Sequence, residues 1–325
     1  GLLLINLGTP QSANPKDVKS YLQEFLMDKR VITLPWVLRF ILVYGLITPF
    51  RSIKSAKNYA KIWTKEGSPL LVHSLKLRDT LQASFAQNIK VSLGMRYGQP
   101  SIENALVELA DCDSIDILPL YPQYASATNG SSIAAVFDYL SKQEHIPNIR
   151  IISEFYQDSN YIEALKQPIA KDLKPDYHLL LSYHGLPEKQ LHRLGCEKIC
   201  RSTCNGKIKA CYRRQSFETS RLVAHALGRS SDDYSVSFQS RLGKTPWIQP
   251  FTEDILKTLI DRGIRKLMVA CPSFVSDCLE TLEEIEIGIK AEWYKLGGTE
   301  FHYIPCLNED KAWVDAIGKL INVQE

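Results

Sequence analysis

One histidine and the turn after it are the clearest sign of chemistry in this sequence. Residues 179–187 read LLLSYHGLP, so an apolar run ends at His184, and Gly185 and Pro187 then force the chain to turn. Such a turn presents the imidazole at a strand end, where near neutral pH it can accept a proton or bind a metal ion. A lone histidine is more often structural, so other residues must decide between the two interpretations.

Three carboxylates in the segment PSFVSDCLETLEEIEIG are the second candidate. If a helix begins near Ser276, these carboxylates are spaced i, i+3 and i+7 and share one face. They are Asp277, Glu280 and Glu284. A row of hard oxygen ligands could carry a divalent cation or protons. The structural alternative is a D-x-x-E capping box formed by Asp277 and Glu280, with the other acids facing solvent.

Four of the eight cysteines are clustered with the spacing C-x3-C-x3-C-x6-C. They are Cys196, Cys200, Cys204 and Cys211. In a cytosolic chain such a cluster favours a metal site over disulfides. The spacing matches neither a C-x2-C zinc pair nor a standard ferredoxin, and basic residues among the cysteines favour thiolates. We expect an iron–sulfur cluster, [2Fe-2S], with zinc as the second choice and unligated thiols as the third.

Turns rich in Gly, Ser and Tyr, NLGTP and YPQYASATNGSS, could accommodate a ligand at helix starts. Neither matches G-x-G-x-x-G or a P-loop, so nucleotide binding is disfavoured. Aromatic side chains near strand ends suit a flat apolar ligand instead, and two arginines could bind its carboxylates. These residues are Tyr97, Tyr121, Tyr124, Trp247, Arg51 and Arg96.

The elements that must position these residues are short apolar runs alternating with stretches of helical periodicity. Such alternation predicts α/β units with parallel strands that are buried on both faces. Four strands precede residue 150 and four follow it, which predicts two similar open-sheet domains in the 325 residues. Ligands bind beyond the carboxyl ends of parallel strands, and the candidate residues above are all expected there.

The charge of the chain excludes one class of partner. It has 39 basic and 36 acidic residues, a formal net charge of +3, and no long basic tail or patch. Nucleic-acid binding is therefore not expected. The first residues also lack the regions of a secretory leader, so the expected location is the cytoplasm.

The most apolar window is Val31 to Phe50. Pro35, Arg39 and Gly45 interrupt it, and a charge in its middle argues against a membrane span. Two interpretations stay open. The window is either a buried helical hairpin or an exposed apolar lip at a pocket mouth or a membrane surface.

The strand-end motifs, taken in order, closely resemble those of the ferrochelatases, which insert Fe(II) into protoporphyrin IX to make protohaem. The similarity extends over essentially the whole chain: NLGTP, FLMDKRVITLPW, EGSPLL, GMRYGQP, YPQYASATNGSS, SYHGLP, FQSRLGKTPWIQPFTE and SDCLETLEEI. It implies two flavodoxin-like, four-stranded domains, residues 1–148 and 149–325, with the porphyrin in a cleft between them. It also implies that the C-terminal helix returns to the first domain.

The resemblance further implies roles for individual residues. His184 and Glu280 match the active-site histidine and glutamate, which would act on the substrate Fe(II) and the pyrrole protons. Asp277 and Glu284 match an acidic helix face that could serve as a relay. The residues that line the porphyrin pocket would be Arg51, Ser68, Arg96, Tyr97 and Tyr124, to which we add Trp247.

Two more segments have counterparts in the family. The window at residues 31–50 corresponds to the active-site lip, which in the animal enzymes meets a membrane. Some bacterial relatives carry a four-cysteine insertion after SYHGLP, and residues 195–212 resemble it. At Cys278 the sequence departs from many relatives, which have histidine beside the glutamate.

Other functions remain open at this point. A chelatase for another tetrapyrrole or metal would share the fold. A non-catalytic tetrapyrrole carrier would tolerate loss of His184 and Glu280. An iron–sulfur redox or sensor protein would depend on the four cysteines alone. Porphyrin and ferrous iron are the expected partners, with peripheral membrane contact through the lip, and the expected oligomeric state is a monomer.

Overall fold

The computed structural model describes residues 1–85, 88–196, 208–241 and 245–321, and these form two compact units. The first unit comprises Gly1–Tyr121 and Ser126–Glu154, together with Ile321. The second unit comprises Pro122–Ala125 and Phe155–Leu320.

The first unit is built on a parallel sheet with the strand order β2-β1-β3-β4. Its strands are β1 (Leu2–Gly8), β2 (Val91–Tyr97), β3 (Ser114–Pro119) and β4 (Asn148–Ile151). The run from Leu2 to Ile5 in the centre of β1 is at most 1% exposed. Helices must therefore cover both faces of the sheet, which is why the strand reads as continuously apolar.

The helices of the first unit follow its strands and the long segment after β1. They are α1 (Pro15–Leu26), α2 (Trp36–Phe40), π1 (Ile41–Ile47), α3 (Thr48–Ile62), α4 (Pro69–Ser84), α5 (Ile102–Glu108) and α6 (Asn129–Leu140). Local signals set several boundaries. For example, the Asn14 side chain accepts a 2.9 Å hydrogen bond from the backbone N–H of Asp17 and so caps α1, which begins with Pro15.

The second unit repeats the same topology with the strand order β6-β5-β7-β8. Its strands are β5 (His178–His184), β6 (Tyr234–Gln239), β7 (Lys266–Ala270) and β8 (Glu300–Tyr303). Its helices are α7 (Ser159–Asp172), α8 (Glu188–His192), α9 (Tyr212–Ala226), α10 (Thr252–Asp261), π2 (Glu280–Ile289), α11 (Lys290–Lys295) and α12 (Lys311–Leu320). The prediction of two α/β units, each with a four-stranded parallel sheet, is confirmed.

The boundary between the units differs from the predicted one at residue 148. Strand β4 pairs with β3 as the edge strand of the first sheet, so this unit extends to Glu154. The C-terminal helix also differs from the expectation, because α12 packs on α7 and belongs to the second unit. Its buried Trp313 stacks on Phe155 at 5.5 Å, and this apolar contact holds α12 there.

The apolar window is not a buried hairpin, and that alternative was wrong. Helices α2, π1 and α3 run on as one helix, Trp36–Ile62. Pro49 is tolerated because it falls in the first turn of α3, and the wider π turn before it lets the helix continue. Among the described residues this helix alone is long and apolar enough to cross a membrane, judged by length and composition.

The first part of this helix exposes apolar side chains and buries the charge of Arg39. The exposed side chains are Trp36, Val37, Leu38, Phe40, Ile41, Tyr44, Leu46, Phe50 and Ile53. Arg39 is only 7% exposed, and its guanidinium donates hydrogen bonds to the carbonyls of Ile32 and Leu34. Arg39, which interrupts the apolar window in the sequence, is therefore turned inward, so its charge does not lie on the exposed apolar face.

Candidate active site

Strand β5 delivers His184 to the carboxyl edge of the second sheet. The strand is buried from His178 to Tyr183, and only His184 at its end is partly exposed. Its neighbour in β6 is Gln239, which is 2% exposed. The apolar core of the strand thus fixes the backbone from which the imidazole projects.

The turn after His184 requires glycine. The N–H of Gly185 donates a 2.8 Å hydrogen bond to the carbonyl of Gln239. A Cβ at this position would lie 2.7 Å from that carbonyl oxygen and 3.2 Å from the Trp247 ring. The close approach of backbone and indole explains why glycine follows the histidine, and it locates Trp247 against the turn.

The imidazole of His184 has a defined orientation. Its Nδ1 lies 2.6 Å from the carbonyl oxygen of Gly185, which can only accept, so Nδ1 is the donor. The neutral ring therefore carries its lone pair on Nε2. Trp247 and Phe274 flank the ring with centroid distances of 6.5 and 6.3 Å. This arrangement leaves Nε2 as the atom that can take a proton or a metal.

Glu284 lies close to this histidine and is held by one serine. Its two carboxylate oxygens accept hydrogen bonds from the N–H and hydroxyl of Ser240, at 2.7 and 2.5 Å. Ser240 has a left-handed backbone (φ 65°), a strained conformation that occurs most often at functional sites. Burial raises the pKa of Glu284, and the Ser240 bonds and the neighbouring His184 offset only part of this rise. The Glu284 carboxyl group therefore keeps its proton to a higher pH than an exposed glutamate does.

Glu280 begins the π-helical segment π2. Its carbonyl accepts a 2.9 Å hydrogen bond from the side-chain amide of Gln239, which ties the segment to the edge of the sheet beside β5. The Glu280 carboxylate is close enough to Glu284 to raise the pKa of Glu284. It also accepts a hydrogen bond from the buried thiol of Cys278. The π conformation is common at functional sites, and here it brings both glutamates to the His184 edge.

The expected helix start near Ser276 was wrong, because π2 begins at Glu280 with Leu279 as its N-cap, and the place of Asp277 in a relay stays a prediction. Asp277 precedes the helix and is 5% exposed. Its carboxylate accepts hydrogen bonds from Tyr303 at 2.5 Å, Asn308 at 2.8 Å and Thr281 at 3.1 Å. These donors come from the last residue of β8, from the segment after it and from the first turn of π2, and they hold the carboxylate in place. The capping box is also not formed, because the N-cap of π2 is Leu279, without a side-chain bond.

The first unit holds four of the predicted porphyrin residues, and two of them form a charged cluster. The Arg96 guanidinium donates to Asp28 and to Ser131, both at 2.7 Å, and the Tyr97 hydroxyl donates to Asp28 at 2.9 Å. Burial raises the pKa of Asp28, but the bonds from Ser131 and Arg30 and the charge of Arg96 hold it below its ordinary value. Arg96 is therefore engaged by a carboxylate of this chain.

The remaining predicted binding residues lie in separate places. Ser68 is 3% exposed and accepts a 2.7 Å hydrogen bond from Thr9, which joins the NLGTP turn to the start of α4. Arg51 is half-buried on α3 in the first unit. Tyr124 is half-buried in the second unit, where its N–H donates to Gln215.

Several residues of these clusters were not identified from the sequence. They are Asp28, Ser131, Gln239, Ser240 and Phe274. The sequence does contain a signal for two of them. Gln239 and Ser240 lie at the end of the apolar run that forms β6, where ligand-binding residues are expected. Asp28 gave no local signal, since the side chains that bond its carboxylate are 68 to 103 residues away.

The four-cysteine cluster is only half described. Cys196 follows α8 and Cys211 directly precedes α9, while Cys200 and Cys204 lie outside the described residues. Within the described ranges, no group of three or more His, Cys, Asp or Glu side chains could hold a metal ion. The predicted [2Fe-2S] cluster therefore stays a prediction. Of the scattered cysteines, Cys271 and Cys278 are buried, as expected for small apolar side chains.

Two solved structures share this architecture over nearly the whole chain. One is described as SirB from Bacillus subtilis with Fe3+, with a TM-score of 0.55 and 11% identity, over 99% of this chain and 93% of that one. Another is CbiX, described as the terminal enzyme for biosynthesis of siroheme in denitrifying bacteria, with a TM-score of 0.50 and 12% identity, over 100% and 99%. At these identities the likeness concerns the fold alone.

Sequence relatives are much closer. The family model for ferrochelatase matches residues 1–325. A ferrochelatase of Legionella pneumophila (strain Paris) is 53% identical over 327 residues, which cover 100% of this chain and 99% of the relative. A ferrochelatase of Coxiella burnetii (strain Dugway 5J108-111) is 46% identical, over 98% of this chain and 92% of the relative. With the chelatase fold and a histidine–glutamate edge in place, the full-length match means that this chain belongs to the ferrochelatase family.

Proposed function

We propose that this chain is a ferrochelatase that inserts Fe(II) into protoporphyrin IX and forms protohaem, the terminal step of haem synthesis. The observation that carries the chemistry is the orientation of His184, whose Nδ1 is bonded to Gly185 at 2.6 Å so that Nε2 keeps its lone pair. The imidazole lies near Glu284, and burial raises the pKa of this glutamate, which is also close to Glu280. Family membership supports porphyrin and ferrous iron as the substrates.

The reaction needs a base, because two pyrrole N–H groups must lose their protons when the metal enters. In this mechanism Nε2 of His184 takes a pyrrole proton, and the resulting imidazolium is stabilised by the adjacent carboxylates. Glu284 then accepts the proton, which its raised pKa favours. Two protons leave for each Fe(II) bound, so charge balances without an oxidant or reductant.

Iron delivery is the second step. Glu280 offers a hard oxygen ligand that suits Fe(II), and His184 offers a nitrogen. The described residues do not form a group of three side chains that could hold a metal by themselves. The four porphyrin nitrogens would then take over the ion from these two ligands.

The flat ring of the porphyrin suits the aromatic side chains around the histidine. Trp247 packs on the Gly185 turn, and Tyr124 lies in the same unit. A rigid aromatic wall can hold the macrocycle partly bent toward the geometry of insertion, which lowers the barrier by differential binding. Arg51 stays a candidate partner for a propionate, as the resemblance to the family implies.

The deciding experiment is loss of protoporphyrin fluorescence on addition of Fe(II) or Zn(II) to the purified protein. The His184→Ala variant should bind porphyrin but lose turnover, since it lacks the base. The matched control is His178→Ala, at the opposite end of β5, which should keep turnover. The Nε2 of His178 lies 2.9 Å from the Ser235 hydroxyl, and burial lowers the pKa of this histidine to about 4. A carrier protein would bind porphyrin without turnover, and a different chelatase would prefer another tetrapyrrole or metal.

For the four cysteines we propose a [2Fe-2S] cluster. The donor set fits, since Cys196, Cys200, Cys204 and Cys211 supply four thiols, and Cys211 directly precedes the rigid helix α9. Protein purified without oxygen should be coloured and contain two irons and two sulfides. A colourless protein that contains one zinc would replace this proposal by a zinc site.

We also propose that the exposed side of the Trp36–Ile62 helix rests on the surface of a lipid bilayer, with the protein in the cytoplasm as a monomer. Trp36 is 62% and Phe50 74% exposed. From residue 29 to residue 65 the chain has no acid, and Lys54, Lys57 and Lys61 lie on α3. An apolar face with basic neighbours suits an anionic interface. Co-sedimentation of the protein with vesicles tests the membrane contact. Sedimentation velocity without vesicles tests whether the protein is a monomer.

A further inference from the structure

The last residue of β6 is bonded to both parts of the histidine–glutamate edge. Gln239 is 2% exposed. Its backbone carbonyl accepts the 2.8 Å hydrogen bond from the N–H of Gly185, directly after the histidine. Its side-chain amide donates a 2.9 Å hydrogen bond to the carbonyl of Glu280, the first residue of π2. Gln239 thus joins the turn after His184 to the start of π2, and all of these residues lie in the second unit.

The orientation of the Gln239 amide follows from its two neighbours. A backbone carbonyl only accepts hydrogen bonds, so the amide atom that faces Glu280 is the nitrogen Nε2. The oxygen Oε1 then faces Ser182, whose hydroxyl donates to it at 2.8 Å. Ser182 is fully buried in β5, two residues before His184. The strand that carries the histidine therefore orients the amide that bonds π2.

The two glutamates are held by consecutive residues through different atoms. Ser240 bonds the carboxylate of Glu284 through its N–H and hydroxyl, whereas Gln239 bonds the backbone of Glu280. Loss of the Gln239 amide should therefore leave Glu284 bonded and release the first turn of π2 from the sheet edge. The two tethers can be tested separately.

We propose that Gln239 is a positioning residue, which fixes the start of π2 against the turn after His184 and so holds Glu280 in place for the reaction. A side chain that is 2% exposed has almost no surface for a substrate, so it acts through the groups that it holds. Displacing a reacting group by about 1 Å can cost about 100-fold in rate, although the group itself is intact. The kinetic part of this inference rests on the proposed ferrochelatase activity.

The first test uses Gln239→Met, which keeps the length of the side chain and removes the amide donor. Ser237→Ala is the matched control, since Ser237 is buried on the same strand and its hydroxyl accepts a 3.0 Å hydrogen bond from Thr252. Hydrogen exchange of the amides of π2, residues 280–289, is measured without porphyrin. It should accelerate about tenfold in Gln239→Met and stay unchanged in Ser237→Ala. Unchanged exchange in Gln239→Met would overturn the inference.

Steady-state kinetics give the second readout. In Gln239→Met kcat should fall about tenfold while the KM for porphyrin stays within about twofold, because a reacting group is displaced and substrate binding is not weakened. Ser237→Ala should keep the kcat of the wild type. If kcat of Gln239→Met is unchanged, or if KM rises without a fall in kcat, the inference is wrong.

A double-mutant cycle tests whether Gln239 acts through Glu280. In protein that already carries Glu280→Gln, the addition of Gln239→Met should lower kcat by less than about twofold, since the carboxylate that the amide positions is gone. A further tenfold loss there would indicate a general structural role and refute the inference. Should Gln239→Met fail to fold, Ser182→Ala removes the bond that orients the amide and should give the same pattern with smaller changes. Absence of wild-type turnover would refute the proposed function, whereas the exchange experiment would still decide whether Gln239 holds π2.

Discussion

The carboxyl edges of the two sheets carry buried carboxylates of opposite character. Asp28, at the edge of the first sheet, has a pKa below its ordinary value. Glu284, at the edge of the second, has a pKa above its ordinary value. The topologies are the same, with the order β2-β1-β3-β4 in one and β6-β5-β7-β8 in the other.

The difference lies in the partners. A guanidinium and two hydroxyls surround Asp28, so its negative charge is permanent in the physiological range. Glu284 accepts hydrogen bonds from the N–H and hydroxyl of Ser240 and lies near His184, and burial raises its pKa. The first edge therefore holds a segment of chain in place, whereas the second can take up and release protons.

The largest effect that would sharpen this comparison is expected at Glu280. Glu280→Gln should lower kcat by about 100-fold, since it removes a charge at the reacting edge while keeping the shape of the side chain. Asp277→Asn should lower kcat far less but reduce the free energy of unfolding by about 2 kcal/mol, because its three side-chain donors lose a charged acceptor. Coupled fluorescence assays and urea unfolding measure both quantities. Equal small losses of kcat in the two variants would contradict the assignment of Glu280 to the chemistry.

The next effect concerns the charge that holds the first edge together. Asp28→Asn should lower the free energy of unfolding at pH 7 by about 3 kcal/mol, as expected when a buried ion pair loses one partner. The folded pKa of Asp28 lies below the unfolded value, so its contribution is fully present above about pH 4 and is lost as the pH falls through the folded pKa. The difference between wild type and variant should thus be constant from pH 5 to 8 in urea titrations. A difference that grows steadily over that range would rule out an ionised Asp28.

Glu284 should show the opposite pH dependence. Its folded pKa is raised above 4.5, so protonation favours the folded state, and stability is lost as the pH rises from 4.5 through the folded pKa. Glu284→Gln should remove this loss and leave the protein at least as stable as wild type at pH 8, with kcat about tenfold lower. Urea unfolding at pH 4.5 and pH 8 makes the measurement. If Glu284→Gln were less stable than wild type at pH 8, the pKa would not be raised.

The smallest effect on stability is expected on the exposed helix. Phe50→Asp should change the free energy of unfolding by less than about 0.5 kcal/mol, because the side chain is 74% exposed. Its binding to vesicles with anionic lipids should nevertheless fall about tenfold. Val107→Asp on α5, 58% exposed in the wild type, is the control and should leave vesicle binding unchanged. Equal binding by wild type and Phe50→Asp would refute a membrane contact at this face.

Much of the fold could be predicted because buried parallel strands leave continuous apolar runs. The run before His184 is one of these, and strand β5 ends at that residue. Local rules also located the turn at Gly185, where a side chain would strike the neighbouring strand. The predicted boundary at residue 148 coincides with the start of β4, and only the long-range pairing of this strand with β3 assigns it to the first unit.

Helix geometry was harder to predict. The i, i+3, i+7 spacing assumed an α-helix that begins near Ser276, whereas the helix begins later and continues as π2. Periodicity counts residues per turn and cannot detect a segment whose turns are widened by its surroundings. Asp277 therefore precedes the helix and is bonded to Tyr303 of β8, so it does not share an α-helical face with the two glutamates in the way that the spacing suggested.

By itself the sequence determined the α/β class, the strand that carries His184 and the membership of the ferrochelatase family, because each of these depends on residue order along a short stretch. Only the tertiary structure decided which charges are paired. Arg96 was expected to bind a substrate carboxylate, yet Asp28, 68 residues away, binds it, and Arg39 turns inward beneath an apolar surface. Oppositely charged side chains pair when folding brings them within a few ångströms of each other. The number of residues between them in the sequence does not reveal such pairs. The same tertiary contacts make Asp28 a fixed anchor and Glu284 a titratable group.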